Sequence, residues 1–419
     1  MSSGDLRLLT VDRRLINVKS HATHCTVGDP EVVRVTVRRS RKTRRGSVPV
    51  VGLVAAFGLL LAACGSGGSS AEQENGENGA FYQEGDRVEV VVPFSPGGGT
   101  DTLARIVAPH LAEELGVEIV VQNKPAGGGV VAVNEFINQT EPDGKTILFS
   151  SSSNHIPPIV GQTGVEYAFD DFAPAAGFPI GGVIYSHADS EFTEPEDITG
   201  PNQPEQINYS GQPPAGGELR ILLMFEMYEA DINTALGFEG RGDARLAWEQ
   251  GEADISYDTT PAYLADVAPL VESGEAVPLM SFGTVEGDEL VRDPVFPDLP
   301  SPAEVYENAF GEEPSGDAFE AYKALSVATL AMNKGIHLQA DAPEAAQEEL
   351  AAAMEAIGAS EEFEKQAEAE LGGTPLLLGP DVENAWNAMA EVDSESSEVQ
   401  WLIDWLAETY DVSVDEMSD

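Results

Sequence analysis

The most constraining feature of the sequence is a glycine-rich loop that occurs twice, each time between a valine-rich segment and a helix-like segment. The first loop, PFSPGGGTD, follows the valine-rich segment 87–92, and the second, QNKPAGGG, follows the segment 117–121. Apolar residues recur at helical spacing after each loop, and a third apolar segment, ILFSS, follows the second helical stretch. This order of strand, loop and helix predicts an α/β fold built on a parallel sheet.

Both glycine loops would lie at the carboxyl edge of that sheet, where open α/β sheets bind their ligands. Glycine lets backbone N–H groups approach a ligand closely, and the N-terminus of the following helix carries about half a positive charge. We therefore expect an anion as the ligand, with Thr100 or Asp101 as the N-cap of the first helix. Two tight turns that bind nothing are the alternative.

Motif and charge favour a small carboxylate over a polyphosphate. Neither loop contains GK[ST] or G-x-G-x-x-G. Residues 65–419 hold only 11 of the 22 Lys and Arg but 68 of the 72 Asp and Glu, in a chain of net charge −50. So acidic a body argues against nucleic acid and anionic membranes as partners. It also predicts a surface adapted to high salt, because charges are screened beyond about 3 Å at about 1 M salt.

The N-terminal region is expected to direct secretion. Six Lys and Arg at 38–45 precede the apolar stretch 48–63, a pattern that predicts a signal peptide over 1–63. The sequence LAAC resembles the lipobox of bacterial lipoproteins, which implies a lipidated Cys64 and a flexible tether over 64–85. A plain signal peptide or short anchor with an incidental cysteine is the alternative. Because this signal is long, we expect about the first 30 residues to be an over-extended gene start.

The body of the chain resembles a known receptor family. The motifs PFSPGGGTDTLAR, QNKPAGGG and EPDGKT follow the order and spacing found in the solute receptors of tripartite tricarboxylate transporters, the Bug-type extracytoplasmic binding proteins. A looser match extends over FEGRGDARLAWEQGEADIS and RDPVFPDLPSPAEVYENAFG. The sequence departs from the family pattern at Gln122, where the family usually has Glu, and at Phe238 and Glu239, where it has Tyr and Lys.

The resemblance implies a periplasmic-binding-protein-like fold of type II, in which two Rossmann-like lobes surround a hinge and a ligand cleft. We expect the first part of lobe 1 at 86–184, lobe 2 at 185–325, and the completion of lobe 1 with the C-terminal helices at 326–419. The implied function is a lipid-anchored receptor on the extracytoplasmic face of the cell membrane. It would act as a monomer that captures a small di- or tricarboxylate-like acid and delivers it to the transporter's membrane subunits.

Two other functions stay open. A carboxylate-binding protein of this kind could report to a sensor kinase, and a cleft hydrolase could be built from one of the serines 150–153 with His155. The sequence lacks the G-x-S-x-G motif of many hydrolases. The four histidines of the expected mature chain, His110, His155, His187 and His337, are not at metal-ligand spacing either. We therefore expect no enzyme activity, no metal and no cofactor.

The ligand is expected to contact both glycine loops and the ends of later strands. Backbone N–H donors are expected at 97–99 and 127–129, and hydroxyl donors at Thr100 and Ser151. Because Asp101 would repel a carboxylate, we expect it to cap the helix and orient the loop. The full set of expected site residues is Phe94, Ser95, Gly97, Gly98, Gly99, Thr100, Asp101, Gly127, Gly128, Gly129, Ser151, Ser210, Asp258 and Thr259.

Overall fold

The structure is a computed structural model, and it describes residues 80–286 and 289–414. The expected signal peptide, the lipidated Cys64 and most of the expected tether lie outside these residues. Among the described residues, no helix is both long enough and apolar enough to cross a membrane.

The strands of the described residues form two five-stranded sheets and a two-stranded hairpin. The strands are β1 (Arg87–Val92), β2 (Glu118–Asn123), β3 (Thr146–Ser151), β4 (Phe172–Phe178), β5 (Gly182–His187), β6 (Ile207–Gly211), β7 (Ile232–Leu236), β8 (Ile255–Thr259), β9 (Ala276–Ser281), β10 (Thr284–Glu286), β11 (Glu289–Val291) and β12 (Lys334–Gln339). The first sheet has the order β2-β1-β3-β12-β4, and the second has the order β7-β6-β8-β5-β9.

Helices cover the sheets and fill the C-terminal part of the chain. They are α1 (Gly99–Leu115), α2 (Val130–Asn138), α3 (Ser152–Ile159), α4 (Leu219–Met227), α5 (Arg241–Glu249), α6 (Thr260–Ala262), α7 (Ala268–Ser273), α8 (Pro302–Phe310), α9 (Asp317–Leu330), α10 (Glu344–Gly358), α11 (Glu361–Glu370), α12 (Pro380–Ala390) and α13 (Ser397–Tyr410). A 3-10 turn covers Gly127–Gly129, and a π-helical turn, Tyr263–Val267, joins α6 to α7.

The parallel strand pattern expected from the glycine loops is confirmed. β1 pairs in parallel with both β2 and β3. Val90 and Val92 of β1 pack into one apolar core and Val91 packs into another on the opposite face. A strand buried on both faces tends to a continuous apolar run, and β1 has such a run at residues 90–92, after the polar Arg87 and Glu89 in its first half.

The two sheets have the same topology. Each has three parallel strands at one end, followed by two strands that run antiparallel to their neighbours. The chain leaves the first sheet through residues 179–181 and returns through residues 331–333. Asn333 Nδ2 donates a hydrogen bond of 2.6 Å to the carbonyl of Ile180, so the two connections are joined. We call the part that carries the first sheet lobe 1 and the part that carries the second sheet lobe 2.

Each lobe has its own apolar core. The core of lobe 1 lies between the first sheet and helices α1 and α10. The core of lobe 2 surrounds α4 and also receives Leu402 and Leu406 of α13. The last helix therefore packs on lobe 2 although it follows helices that pack on lobe 1.

Helix α1 begins earlier than the sequence suggested. Its N-cap is Gly98, with φ −87° and ψ 164°, so the expected cap at Thr100 or Asp101 is wrong. The reason is that Asp101 acts from inside the first turn: its Oδ2 accepts the N–H of Gly97 at 3.0 Å. The carboxylate thus reaches back from the helix and holds the preceding loop, which lets the helix begin within the glycine run.

Candidate functional site

A small cavity lies between the lobes, at the carboxyl ends of the central parallel strands of both sheets. Lobe 1 contributes residues that follow β1 and β3 and residues at the start of β12. Lobe 2 contributes residues that follow β6 and β7 and residues at the end of β8. The lining residues are Phe94, Gly98, Gly99, Thr100, Ser151, Ser152, Ser153, Gln212, Gly217, Arg220, Arg241, Tyr257, Thr259, Asn333 and Lys334. The cavity measures about 30 Å³, room for about two water molecules. An organic acid can enter only when the lobes are further apart.

The first glycine loop is braced from behind by Asp101. Besides the N–H of Gly97, its carboxylate accepts hydrogen bonds from Arg105 Nε at 3.0 Å and Asn123 Nδ2 at 2.9 Å. Burial raises the pKa of Asp101, but the hydrogen bonds from Arg105, Gly97 and Asn123 outweigh it and leave the pKa below its ordinary value. Asp101 is therefore an ionised group that orients the loop, and it does not line the cavity.

Gly99 is the point where lobe 2 comes closest to this loop. A Cβ atom on Gly99 would lie 1.9 Å from Thr259 Oγ1 and 3.4 Å from Lys334 Cε. A Cβ atom on Gly98 would make only ordinary contacts, the nearest at 3.6 Å to Arg241. Of these two glycines only Gly99 is thus required, because the other lobe occupies the space of a side chain at 99 but not at 98.

Two buried cations in the cavity wall have no carboxylate partner among the described residues. Arg220 and Lys334 are each 3% exposed. Arg220 Nη2 donates to Thr329 Oγ1 at 2.8 Å, and Lys334 Nζ donates to Thr100 Oγ1 at 3.1 Å. Burial, and next the repulsion of Arg220, lower the pKa of Lys334 to about 7. Burial also lowers the pKa of Arg220. The wall thus carries positive charge that the protein leaves uncompensated.

Arg241 is different because lobe 2 neutralises it. Its Nη1 lies 3.0 Å from Oε1 of Glu218, which is fully buried. Its Nε and Nη2 donate to the carbonyl of Tyr257, and its guanidinium stands 4.1 Å from the centre of the Tyr257 ring. Arg241 therefore acts mainly as a structural cation of lobe 2.

Several polar atoms of the cavity wall lack a hydrogen-bond partner. They are Gln212 Nε2, Arg220 Nε, Thr259 Oγ1 and Asn333 Oδ1. Buried polar atoms are nearly always hydrogen-bonded, and each exception needs a physical explanation. Three of these four unpaired atoms can donate a hydrogen bond, and the two cations without a carboxylate partner add positive charge. The wall therefore suits an acceptor-rich, negatively charged ligand.

The structure brings some of the expected site residues together at the cavity and places others away from it. Those in the cavity wall are Phe94, Gly98, Gly99, Thr100, Ser151 and Thr259. Those that do not line it are Ser95, Gly97, Asp101, Gly127, Gly128, Gly129, Ser210 and Asp258. Asp258 lies behind the wall, where it pairs with Arg245 at 3.2 Å and accepts the hydroxyl of Tyr185 at 2.7 Å.

The second glycine loop lies to the side of the cavity because it follows the edge strand β2. There the Gly128 N–H points at Glu239 Oε2 of lobe 2, at 3.4 Å. A Cβ atom on Gly129 would lie 2.8 Å from the ring of Phe94 and 2.6 Å from Asn154 Nδ2. This loop therefore supports a residue of the cavity wall and meets the other lobe.

Sequence reasoning missed nine residues of the wall. They are Ser152, Ser153, Gln212, Gly217, Arg220, Arg241, Tyr257, Asn333 and Lys334. The sequence predicts neutral backbone and hydroxyl donors, yet three of the 11 Lys and Arg in residues 65–419 line this cavity. A usable signal was present: Arg220 stands inside the apolar stretch LRILLMF, and a lone cation in such a stretch must find a partner.

Of the serines 150–153 in the hydrolase alternative, Ser150 is the one hydrogen-bonded to His155, and neither of these two residues lines the cavity. Ser150 Oγ is 2.8 Å from His155 Nε2 and 2.7 Å from His337 Nε2, and neither Nδ1 atom has a partner. Burial lowers the pKa of both histidines, that of His337 to about 3. The arrangement lacks the carboxylate that orients the histidine of a catalytic triad. No metal-binding group of three or more His, Cys, Asp or Glu occurs in residues 80–286 and 289–414.

Two α/β lobes with a cleft at the carboxyl ends of their strands define the fold class of the periplasmic binding proteins, as expected. The family described as "Tripartite tricarboxylate transporter family receptor" matches residues 103–319. The chain belongs to this family, so the expected family is confirmed.

A relative agrees with this assignment, and solved structures agree with the fold. A UPF0065 protein of Bordetella pertussis is 29% identical over 228 residues, which cover 52% of this chain and 65% of that protein. The chain therefore spans just under two thirds of that relative. An R. palustris protein solved with adipate aligns with a TM-score of 0.58 and 21% identity, over 78% of this chain and 98% of that one. MatC from Rhodopseudomonas palustris, solved with malate, aligns with a TM-score of 0.55 and 21% identity, over 76% of this chain and 98% of that one.

Proposed function

We propose that this protein is a solute receptor that captures a small organic carboxylate between its lobes and delivers it to the membrane subunits of a tripartite tricarboxylate transporter. The observation that carries the proposal is the presence of Arg220 and Lys334 in the cavity wall, both buried and both without a carboxylate partner among the described residues. A buried cation without a partner is costly, and a bound carboxylate would supply the partner.

The neutral donors of the wall support the same ligand class. Gly99 and Thr100 open helix α1, and Ser152 and Ser153 open helix α3, so two helix N-termini face the cavity. Helix N-termini favour negative charge. Two proteins of this fold were solved with malate and with adipate, and both ligands are organic acids with two carboxylates.

Closure of the lobes would complete the site. Three hydrogen bonds join the lobes next to the cavity, from Arg245 Nη2 to the Gly97 carbonyl at 3.0 Å, from Ser95 N–H to the Glu239 carbonyl at 3.2 Å, and from Gly217 N–H to Ser153 Oγ at 3.1 Å. Residues 179–181 and 331–333 would act as the hinge. Contacts that form only in the closed state let a ligand shift the population towards it.

The remaining features of the receptor are proposals of the same kind. We propose attachment to the extracytoplasmic face of the membrane through a lipidated Cys64, action as a monomer without catalysis, and lobe boundaries in the connections 179–181 and 331–333, a few residues outside the expected bounds 185 and 325. The lipobox resemblance and family membership support the first of these.

Thermal unfolding in the presence of organic acids tests the ligand class. A carboxylate at about 100 times its Kd adds about 2.7 kcal/mol to stability, a shift of about 3–4 °C in the melting temperature for a chain of this size. The protein, purified in high salt, is screened against mono-, di- and tricarboxylates. The Arg220→Met/Lys334→Met variant is expected to lose the shift, whereas the exposed Lys365→Met variant keeps it. Absence of a shift with every acid would contradict the proposal.

A further inference from the structure

The two uncompensated cations approach the cavity from opposite lobes. Arg220 belongs to α4, which packs in the core of lobe 2, and Lys334 is the first residue of β12 in lobe 1. Both are buried in this closed arrangement. Lys334 also follows directly on the connection 331–333, through which the chain returns to lobe 1.

The charged groups around Lys334 leave a net repulsion across the cleft. Arg220 repels the ammonium and Asp258 attracts it, but Asp258 is held by Arg245 at 3.2 Å. His155 and His337 lie near by in lobe 1, buried and neutral. The charge of Arg241 is offset by Glu218. Closing the lobes without a ligand therefore brings two like charges together in a site that excludes water, where charges interact strongly.

We propose that Arg220 and Lys334 form a charge gate, in which their repulsion keeps the lobes apart until an anion binds between them and allows the lobes to close. The gate rests on the proposed function only in taking this cavity as the ligand site. It makes these two residues the determinants of charge selectivity. A neutral molecule of the same shape could contact the same backbone N–H groups but would leave the repulsion in place, so the lobes would not close around it.

The gate predicts a property of the ligand-free protein, which can be measured without knowing the ligand. Small-angle X-ray scattering gives the radius of gyration, which falls as the lobes close. Lys334→Met and Arg220→Met each remove one of the repelling charges, so the free variants are expected to be more compact than the free wild type. Lys365→Met and Arg87→Met make the same chemical changes at exposed positions and should leave the radius unchanged.

A pH series on the wild type keeps the test independent of any misfolded variant. Closing lowers the pKa of Lys334, so the closed state becomes easier to reach as pH rises. Between about pH 6 and pH 9 the surface carboxylates stay ionised. The free wild type is expected to become more compact over this range, and Lys334→Met should not respond. Equal radii for the wild type and both variants, together with no response to pH, would overturn the gate.

Ligand pairs separate this proposal from the proposed function. Malonate, succinate and adipate are each compared with the neutral diamide of the same length by isothermal titration. In the wild type, the affinity for the acid that binds should be at least tenfold higher than the affinity for its diamide. In Lys334→Met the ratio of these two affinities should fall towards one. An acid that binds Lys334→Met with the full wild-type preference contradicts the gate but not the proposed function. Failure of every acid to bind, with the pH response present, contradicts the carboxylate ligand but not the gate.

Discussion

The two glycine loops of lobe 1 look alike in sequence but occupy different positions in the molecule. The loop after β1 supplies Gly98, Gly99 and Thr100 to the cavity wall, whereas the loop after β2 supplies none of its residues 127–129. The difference follows from strand order, since β1 is central in the first sheet and β2 is its edge strand. A glycine run between strand and helix thus indicates that something approaches the backbone, and strand order decides whether it is a ligand or the rest of the protein.

Both loops are approached by lobe 2, with different consequences. At Gly99 the neighbour is Thr259, next to an open space between the lobes, and at Gly128 it is the ring of Pro213, where a Cβ atom would lie 2.7 Å away. The first loop borders a cavity lined with hydrogen-bond donors, whereas the second loop packs directly against lobe 2. Substitutions at the two loops should therefore affect ligand binding to different degrees.

The largest effect is expected for Gly99→Ala. The new methyl group would meet Thr259 Oγ1 at 1.9 Å, and the protein can relieve this clash by keeping its lobes apart. Overpacking of this kind costs about 1–3 kcal/mol. Carboxylate affinity measured by titration calorimetry should therefore fall about 5- to 150-fold, while the melting temperature of the free protein changes little.

The neighbouring glycine provides the matched control. Gly98→Ala adds the same methyl group where the nearest atoms are 3.6 Å away and φ is −87°, so its affinity should stay near the wild-type value. Adding Thr259→Ala to Gly99→Ala removes the clashing oxygen and should restore part of the affinity. Equal losses for Gly98→Ala and Gly99→Ala would show that the first loop does not depend on close approach of lobe 2.

Asp101→Asn is expected to lower the free energy of unfolding by about 1.5–3 kcal/mol, the range for hydrogen bonds to a charged group. Asparagine cannot carry the charge that Arg105 pairs with at 2.9 Å. Because the folded pKa of Asp101 is depressed, its contribution is complete above the unfolded pKa and is lost as pH falls through the folded pKa. Urea unfolding should show a difference from the wild type at pH 7 that shrinks in acid. Glu113→Gln, exposed on the same helix, should show no such difference.

Much of lobe 1 could be predicted from local sequence. The valine-rich sequence of β1 and the helical spacing after it are local signals, and they predicted the parallel pairing of β1 with β2 and β3 correctly. The position of β2 at the edge is not local information. It depends on where β3 and β12 pair, and β12 lies far along the chain after a whole lobe.

The cations of the site could not be placed for the same reason. Lys334 donates a hydrogen bond to Thr100, which lies 234 positions earlier in the sequence. Arg220, the other cation of the site, belongs to the other lobe. No spacing motif links these three residues, so only the return of the chain into the first sheet brings them together. Local patterns therefore predicted the glycine loop that lines the cavity. The cations of the wall could be placed only from the tertiary fold.

The smallest effect is expected for Glu239→Ala, at the second loop. The variant loses the contact of 3.4 Å between the carboxylate and the Gly128 N–H but keeps the backbone carbonyl that accepts the Ser95 N–H. A long hydrogen bond at an accessible edge contributes about 0.5 kcal/mol, so carboxylate affinity should fall about two- to threefold. The preference for an acid over its diamide should not change. Glu239→Gln keeps an acceptor and should bind nearly as the wild type does. If Glu239→Ala instead abolished binding or charge selectivity, the second loop would belong to the ligand site after all, and the contrast between the loops would fail.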